Sequence, residues 1–291
     1  MDLKSGKEEA KRYYDQEAGD YIRIYRGGSG KYPANLIRLN FIIDRLKQNR
    51  VVSILDAGCG TCGPMIRLLG EGFRVQGFDF SGEMVRKGRI ELEKAGHDPG
   101  LIVQADIEDD SSLSRKKYDA ILALGVFPHV LDERKALSTL RSRLKKNGLV
   151  FIEFRNDLFA AFTLNAYSLD FFMNRVIDTG SLPREVSDDL LRFYQERFQL
   201  GEPERREGGK ITYSDILARF RNPLTIGADL FEPGGFSLEK LHFYHYHALP
   251  PVFEPKYPEL FRELSLKMEN PGDWRGYLMA SAYVAEARKR G

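Results

Sequence analysis

Residues 51–63 read Val-Val-Ser-Ile-Leu-Asp-Ala-Gly-Cys-Gly-Thr-Cys-Gly, an apolar β-branched run that ends in an acid and a cluster of glycines. Such a run predicts a buried strand followed by a tight turn. Residues 64–69 then predict the first turns of a helix whose amino end faces that turn. Because glycines leave backbone N–H groups uncovered and a helix amino end is positive, the sequence predicts a cradle for a polar or anionic ligand.

The glycine spacing alone fits two kinds of site. Gly58, Gly60 and Gly63 satisfy the G-x-G-x-x-G fingerprint of dinucleotide-binding proteins, in which Asp79 lies at the distance of the ribose-binding acid. Asp56 favours another interpretation, because an Asp-x-Gly-x-Gly start resembles motif I of the class I S-adenosylmethionine-dependent methyltransferases. The resemblance implies S-adenosyl-L-methionine as cofactor, with its methionine end held by a small backbone loop. The residues concerned are Asp56, Gly58, Cys59 and Gly60.

One position of this loop departs from the family pattern. The usual third glycine falls at Cys62, and Gly63 is displaced by one residue. Cysteine is small enough to fit, so we expect the loop to keep its shape. Cys59 and Cys62 also form a C-x-x-C, but a zinc site would need a second cysteine pair, which the chain lacks. We therefore expect no bound metal.

Composition and charge narrow the class of protein. A chain of 291 residues, 42% of them hydrophobic, can bury one core, with or without an inserted subdomain. Its 44 basic and 42 acidic residues give a net charge of +2, which does not favour nucleic-acid binding. The charged amino-terminal stretch, and the lack of any apolar run of about 20 residues, predict a cytoplasmic protein without membrane contact. The oligomeric state stays open.

The first 50 residues predict two helices ahead of the sheet. Pro33 starts the second, an amphipathic helix expected to cover one face of the sheet. In the first, Tyr14 and Tyr21 are seven residues apart and share a helical face. Amino-terminal tyrosines in several small-molecule methyltransferases resemble this arrangement, which implies a lid whose rings attract the sulfonium cation. Packing of these tyrosines on the core is the alternative.

Further βα units follow, and two of their strands end in acids. Asp79, followed by Phe80, ends the second strand, and Ser81 is placed to cap the next helix. A carboxylate there can accept hydrogen bonds from both hydroxyls of a ribose. Asp106 ends the third strand, and the resemblance implies that it meets the exocyclic amine of adenine while Ile107 packs on the ring. The alternatives are helix capping for Asp79 and turn formation for Asp106.

The fourth strand, at residues 118–125, is nearly uninterrupted in apolar residues, as expected between two layers of helices. The segment after it resembles the family segment whose backbone touches the cofactor, which implicates Leu124, and whose next residues face the acceptor. His129 lies in that segment and is a candidate general base. Support of the loop is the alternative for this histidine.

The pattern changes after a fifth strand at residues 149–154, which follows a glycine stop at Gly148. Residues 155–221 lack another apolar strand and predict aromatic-rich helices above the expected site. The predicted parts of the chain are amino-terminal helices (1–50), a methyltransferase core (51–154 and 222–291) and an inserted helical subdomain that covers the substrate (155–221).

Residues 238–247 predict a sixth strand and residues 276–285 a final strand that returns antiparallel. A Gly-Phe before the sixth strand and this return resemble the family's carboxyl-terminal ending. The predicted fold is therefore α/β, a Rossmann-like, mostly parallel sheet of seven strands with an antiparallel last strand, plus the inserted helices.

The carboxyl ends of parallel strands meet at one rim, where an acceptor would bind. His245 and His247 share one face of the sixth strand there and are candidate bases, or else ordinary hydrogen-bonded strand residues. The other face is expected to carry His242, Tyr244 and Tyr246. The candidate substrate-binding residues at this rim are Arg155, Asn156, Trp274 and Arg275.

Together these features predict a methyltransferase that modifies a small molecule at oxygen or nitrogen by in-line transfer. A base is needed only where the acceptor atom starts protonated. Two alternatives stay open: an NAD(P)-dependent oxidoreductase that uses the same glycine loop, and a non-catalytic regulatory protein that binds the cofactor. The sequence leaves the acceptor and the methylated atom undetermined.

Overall fold

The computed structural model describes Arg12 and residues 32–198 and 219–291. Tyr14 and Tyr21 lie outside the described residues, as does the predicted lid helix apart from Arg12. Among the helices described, none is both long enough and apolar enough to cross a lipid bilayer.

A sheet of eight strands forms the centre of the molecule. The strands are β1 (Ser53–Ala57), β2 (Arg74–Asp79), β3 (Ile102–Gln104), β4 (Tyr118–Ala123), β5 (Leu144–Asn156), β6 (Phe220–Arg221), β7 (Phe236–Tyr246) and β8 (Ala280–Lys289). Their spatial order is β3-β2-β1-β4-β5-β8-β7, and the two-residue β6 pairs with β5. β1 to β5 are parallel, whereas β8 runs antiparallel to β5 and β7. The predicted sheet with its antiparallel last strand is confirmed, and β6 adds an eighth, very short strand.

Helices cover both faces of the sheet. The α-helices of the described ranges are α1 (Ala34–Gln48), α2 (Gly63–Gly70), α3 (Gly82–Lys94), α4 (Glu133–Arg143), α5 (Ala160–Thr163), α6 (Ala166–Phe171), α7 (Arg184–Gln195), α8 (Pro258–Lys267) and α9 (Gly276–Met279). As predicted, α1 follows Pro33 and buries an apolar stripe that includes Leu39, Ile42 and Leu46.

The core has two halves, one on each face of the sheet. Ile54 and Leu122 belong to the half that packs against α1, α2 and α3, whereas Leu55 and Ile121 belong to the half that packs against α4. Neighbouring strand residues enter opposite halves because side chains alternate along a strand. Burial on both faces explains the nearly continuous apolar runs of β1 and β4.

The strand order reverses between β1 and β4, which are neighbours in the sheet although β2 and β3 intervene in sequence. The connections that leave their carboxyl ends therefore diverge to opposite sides. α/β proteins bind ligands in the crevice that such a divergence leaves. The loops after β1, β2 and β4 meet at this point.

The fifth strand starts earlier than its sequence indicates. α4 ends at Arg143 and β5 begins at Leu144, so the predicted glycine stop at Gly148 is wrong. Leu144 is fully buried and pairs with Tyr118, and a register shift in β4 accommodates the extra residues. The Asn-Gly pair still forms a turn, because Asn147 has a φ of 60° and residues 145–148 have no strand-pairing partners on β4.

The described part of the predicted insertion is mostly helical, with α5, α6 and α7 and a π-helical turn at Phe172–Val176. The expected lack of a further strand in residues 155–221 is wrong at its end, where the short β6 joins the sheet beside β5. The rings of Phe172, Tyr194 and Phe198 stack on one another, with centroids 5.3, 5.4 and 6.3 Å apart. These aromatic side chains therefore pack among themselves. The role of residues 155–221 as a separate substrate cover stays a prediction, as do the other domain boundaries.

Candidate active site

The loop after β1 is held close to the neighbouring strands. The backbone N–H groups of Gly58 and Cys59 both donate to the carbonyl of Phe78, at 2.8 and 3.0 Å. Gly58 has a φ of 78°, and a Cβ built on it would lie 2.2 Å from Cγ2 of Val126. Only glycine fits where the loop passes the segment after β4, which accounts for the first glycine of the motif.

Cys62 takes the conformation that the family's usual glycine would take. Its φ is 67°, in the left-handed region, and it caps the amino end of α2. Its N–H donates to the carbonyl of Cys59 at 2.9 Å, which closes the turn. Both cysteines are free thiols and buried. A hydrogen bond with Cys62, together with burial, raises the pKa of the Cys59 thiol, so it is a poor nucleophile near neutrality.

The Asp79 carboxylate is fixed at the mouth of this loop. Its Oδ2 accepts from the N–H of Gly60 and its Oδ1 from the N–H of Ser81, both at 2.9 Å. The helix cap itself is supplied by Ser81, whose Oγ accepts from the N–H of Met84 at 3.0 Å. Capping therefore does not explain Asp79.

Asp56 lies beneath the loop, with 2% of its surface exposed, and no donor among the described residues reaches its Oδ2. Burial, together with the negative charge of Asp79, raises its pKa to about 7, against the opposing effect of Arg38. Arg38 on α1 is itself buried and pairs with the carboxylate of Glu153. Sequence reasoning missed Arg38, although it lies four residues before Ile42 on the buried face of the helix.

The segment after β3 continues the same surface. Asp79 accepts through its carbonyl from the N–H of Ala105 at 3.0 Å, which joins the ends of β2 and β3. Asp106 then accepts through Oδ1 from the N–H of Glu108 at 2.9 Å. Glu108 is buried, and its Oε1 accepts from the N–H of Asp132 ahead of α4 at 2.8 Å.

One pocket gathers these elements. The predicted cofactor residues that line it are Gly58, Gly60, Asp79, Phe80, Asp106, Ile107 and Leu124. Asp56 and Cys59 are buried beneath the loop instead. His129, at the end of the turn that follows β4, lines the same pocket. Sequence reasoning did not single out the lining residues Met84, Glu108 and Val126.

His245, near the end of β7, and His247, just after it, lie elsewhere at the rim. The predicted alternation is wrong at this point, because Tyr244 packs in the α1 half of the core and Tyr246 in the opposite half. His245 between them has a φ of 59°, which reverses the side-chain direction. Its Nδ1 lies 2.9 Å from Oγ of Ser281.

Burial makes both rings weak bases. It lowers the pKa of His245 to about 4, assisted by Arg155, and that of His247 to about 3, assisted by His245. The His247 ring lies 4.8 Å from that of Phe159, and neither of its nitrogens has a hydrogen-bond partner in the described part of the chain. Within residues 32–198 and 219–291, no three His, Cys, Asp or Glu side chains gather as metal ligands.

Asn156 has a structural function. It is fully buried, and its Oδ1 accepts from the N–H of Leu158 at 3.1 Å. Its Nδ2 donates to the carbonyls of Gly276, Tyr277 and Ala280. The amide thus ties the end of β5 to the turn before β8, and its polar atoms are occupied by the backbone.

The other predicted substrate residues are close to the rim but do not line the pocket. Arg155 pairs with Ala282 across β5 and β8. Trp274 is 72% exposed. Arg275 forms an ion pair with Asp273 at 2.5 Å.

Comparison with known proteins shows which proteins the chain is similar to. A family model described as a methyltransferase domain matches residues 55–150. The chain is 36% identical over 124 residues to the glycine/sarcosine N-methyltransferase of Halorhodospira halochloris, covering 40% of this chain and 45% of that protein. It is 24% identical over 161 residues to the ubiquinone biosynthesis O-methyltransferase of Vibrio atlanticus, covering 55% and 64%.

The magnesium protoporphyrin IX methyltransferase of Synechocystis PCC 6803, solved with bound SAH, has a similar fold, with a TM-score of 0.56 at 15% identity and coverage of 98% and 99%. The matches to the curated relatives span only part of their length, from 28% to 64% in the first three. Residues 55–150 carry the methyltransferase domain. The chain is therefore similar to S-adenosylmethionine-dependent methyltransferases, through this domain at residues 55–150 and through its fold.

Proposed function

We propose that this protein transfers a methyl group from S-adenosyl-L-methionine to oxygen or nitrogen of a small molecule. The observation that carries the proposal is the Asp79 carboxylate, which the N–H groups of Gly60 and Ser81 orient at the mouth of the pocket. A planar carboxylate in this place suits the two adjacent hydroxyls of a ribose.

The neighbouring residues fit the nucleobase. Asp106 and the backbone of Ile107 lie next to Asp79 because Ala105 joins the ends of β2 and β3. Ile107 and Leu124 supply apolar surface on the same pocket. A carboxylate beside an apolar slot suits the exocyclic amine and the flat ring of adenine.

The loop after β1 fits the amino-acid end. Asp56 provides a buried oxygen without a hydrogen-bond partner among the described residues, and the cation of Arg38 is near enough to lower its pKa. A carboxylate and a guanidinium side by side suit the ammonium and the carboxylate of an amino acid, respectively. We assign both residues to that end of the cofactor, together with the backbone of Gly58, Cys59 and Gly60.

When bound, the cofactor would supply a methyl group on a sulfonium, so that the acceptor atom bonds to the methyl carbon while the carbon–sulfur bond breaks and S-adenosylhomocysteine leaves. The chain orients the acceptor, excludes water and takes up a proton where the acceptor carries one. We assign the role of proton acceptor to His129, because it lines the cofactor pocket. His245 and His247 stay uncharged near neutrality, so we assign them to acceptor binding.

Other candidate contacts follow from position. Arg155, Trp274 and Arg275 lie at the same rim as His245 and remain candidates for the acceptor. Tyr14 and Tyr21 remain candidates for a lid over the cofactor. The antiparallel β8 and the match of residues 55–150 to a methyltransferase model argue against the nicotinamide-dependent alternative, which the glycine spacing supports.

Isothermal titration with S-adenosylhomocysteine tests the proposal first. We expect binding to the wild type and at least about tenfold weaker binding to Asp79→Asn, because charge-assisted hydrogen bonds are lost. Asp44→Asn, on the exposed face of α1, is the matched control and keeps the wild-type affinity. Absence of binding to the wild type would overturn the proposal.

A transfer assay tests the reaction itself. Release of S-adenosylhomocysteine is measured with amine acceptors, including glycine and sarcosine, and with phenol acceptors, because both N- and O-methyltransferases are similar to this chain. Turnover that falls in His129→Ala with unchanged cofactor affinity supports the proton assignment. Binding without transfer to any acceptor in a broad panel supports a non-catalytic regulatory protein instead.

A further inference from the structure

Arg143 is the largest fully buried side chain of the described residues, with 1% of its surface exposed. It occupies the last turn of α4 and does not line the pocket. A guanidinium is costly to bury unless its N–H groups are bonded. Its partners therefore show what the burial achieves.

Arg143 donates to three acceptor atoms of one loop, and they belong to two residues, Asp110 and Leu113. Its Nη1 donates to Oδ1 of Asp110 at 2.6 Å. Its Nη2 donates to the carbonyl of Asp110 at 2.6 Å and to that of Leu113 at 3.1 Å. The planar fork of an arginine can serve three acceptors at once, which the single ammonium of a lysine cannot do in the same geometry.

The same stretch is tied to Asp106 at its other end. The N–H of Asp106 donates to Oγ of Ser112 at 3.3 Å, and that hydroxyl donates to the carbonyl of Asp109 at 2.8 Å. The N–H of Asp109 donates in turn to the carbonyl of Asp106 at 3.0 Å. Residues 106–113 thus form one closed loop, with Arg143 at the far end and the pocket at the near end.

Apolar contacts anchor this loop only at Ile107 and Leu113, which are buried, whereas Asp109, Ser111 and Ser112 are exposed. Exposed polar residues add little to the rigidity of a loop. The position of the exposed part therefore depends on its hydrogen bonds, and Arg143 joins them to the body of the protein.

We propose that Arg143 is a positioning residue that sets how the pocket distinguishes adenine from other nucleobases. This inference rests on the proposed function, in which Asp106 and the backbone of Ile107 face the base. Adenine offers a donor at its exocyclic amine and an acceptor at N1. Hypoxanthine offers a carbonyl and an N1–H at the same places, so it reverses both groups.

The test compares two ligands, S-adenosyl-L-homocysteine and S-inosyl-L-homocysteine, by isothermal titration. The wild type is expected to prefer the adenosyl ligand by at least about tenfold, because the wrong base leaves polar groups of the site unpaired. In Arg143→Gln the preference is expected to fall below about threefold, and in Arg143→Lys to an intermediate value. A purely structural effect would weaken both ligands equally and leave the ratio unchanged.

Arg141→Gln is the matched control. Arg141 lies in the same turn of α4 but donates to the carbonyls of Gly235 and Arg290, away from the loop. The Arg141→Gln variant is expected to have the same ratio of affinities for the adenosyl and inosyl ligands as the wild type. A ratio that falls as far in this variant as in Arg143→Gln would overturn the inference.

Ser112→Ala keeps the test decisive if Arg143→Gln does not fold. Ser112 is exposed, and its hydroxyl links Asp106 to Asp109, so the same loss of preference is expected with little change in stability. If Ser112→Ala binds the adenosyl ligand and keeps the wild-type ratio of the two affinities, the loop of residues 106–113 does not set the choice of nucleobase. Failure of the adenosyl ligand to bind the wild type overturns the proposed function, and the inference with it.

Discussion

Asp56 makes the stability of the protein depend on pH. Burial and the charge of Asp79 raise its pKa from 3.8 to about 7, so between these values the folded protein holds a proton that the unfolded chain has released. The contribution of Asp56 to the free energy of unfolding is therefore fully present below pH 4, and it is lost as the pH rises through 7. The difference in pKa corresponds to at most about 4 kcal/mol.

Asp56→Asn removes this titration. We expect its free energy of unfolding, from urea denaturation, to exceed that of the wild type at pH 8 by about 1–3 kcal/mol and to show no such gain at pH 4. Asp44→Asn, exposed on α1, should follow the wild type at both values. The same pH dependence in Asp56→Asn and the wild type would contradict the prediction.

Cys62 shows how the loop keeps its shape without the third glycine. A left-handed φ of 67° costs an L-residue about 1–2 kcal/mol relative to glycine. The buried thiol offsets part of this cost, because it packs closely against Gly88 on α3. A Cβ added to Gly88 would lie only 2.8 Å from Sγ of Cys62. Glycine and cysteine are therefore nearly equivalent at this position.

We expect Cys62→Gly to change the free energy of unfolding by less than about 1 kcal/mol, because relief of backbone strain offsets the lost packing. Cys62→Val should lose more than about 2 kcal/mol, because a β-branched residue fits the left-handed region poorly. Chemical denaturation of both variants measures this. A valine variant as stable as the wild type would show that the backbone at residue 62 is not left-handed.

At the scale of elements, charged residues join α1 to the sheet. Arg45 donates to both oxygens of Glu286 on β8, at 2.7 and 2.8 Å, and His242 on β7 lies 2.7 Å from Oε2. Glu286 is fully buried. Burial alone would raise its pKa, but the hydrogen bonds from His242 and Arg45 outweigh that effect and lower the pKa to about 2. One carboxylate thus holds one helix and two strands together.

Glu286→Gln should lower the free energy of unfolding by about 2–4 kcal/mol at pH 7, because Arg45 and His242 then lack the negative charge of their partner. Since the folded pKa lies below the ordinary value of 4.5, this stabilisation is complete above pH 4.5 and is lost as the pH falls toward 2. The difference from the wild type should therefore shrink by more than half at pH 3. Glu263→Gln, an exposed partner of Lys267, should change stability by less than about 0.5 kcal/mol. An equal loss at pH 3 and pH 7 would contradict the prediction.

Sequence reasoning succeeded where neighbouring residues decide the structure. Asp79 and the glycine loop lie where the βα pattern places them, and Ser81 caps its helix as its spacing indicates. It failed where distant residues decide. The reversal at His245 depends on packing at the end of β7, and Arg143 reaches a loop 33 residues away in sequence. Periodicity has no information about either contact.

At the scale of the molecule, the site is a consequence of strand order. Placing β4 beside β1 separates the loops after these two strands and leaves the pocket between them. The glycine loop, Asp79 and His129 come from three different βα connections, yet they line one cavity. Ligand binding there is therefore expected to stabilise the whole sheet, because it joins elements that separate on unfolding.

This coupling predicts a thermal shift that depends on the ligand. S-adenosylhomocysteine at 100 times its Kd should add about 2.7 kcal/mol to the stability, which raises Tm by roughly 5 °C or more in a chain of this size. In Asp79→Asn, whose Kd is expected to be about ten to one hundred times higher, the same concentration should add only about 0.4–1.4 kcal/mol. NADPH at that concentration should leave Tm unchanged in both proteins. Equal Tm shifts with S-adenosylhomocysteine and NADPH would mean that the pocket recognises any adenosine-containing ligand. Asp79 would then contact a ribose without making the site specific for S-adenosylhomocysteine.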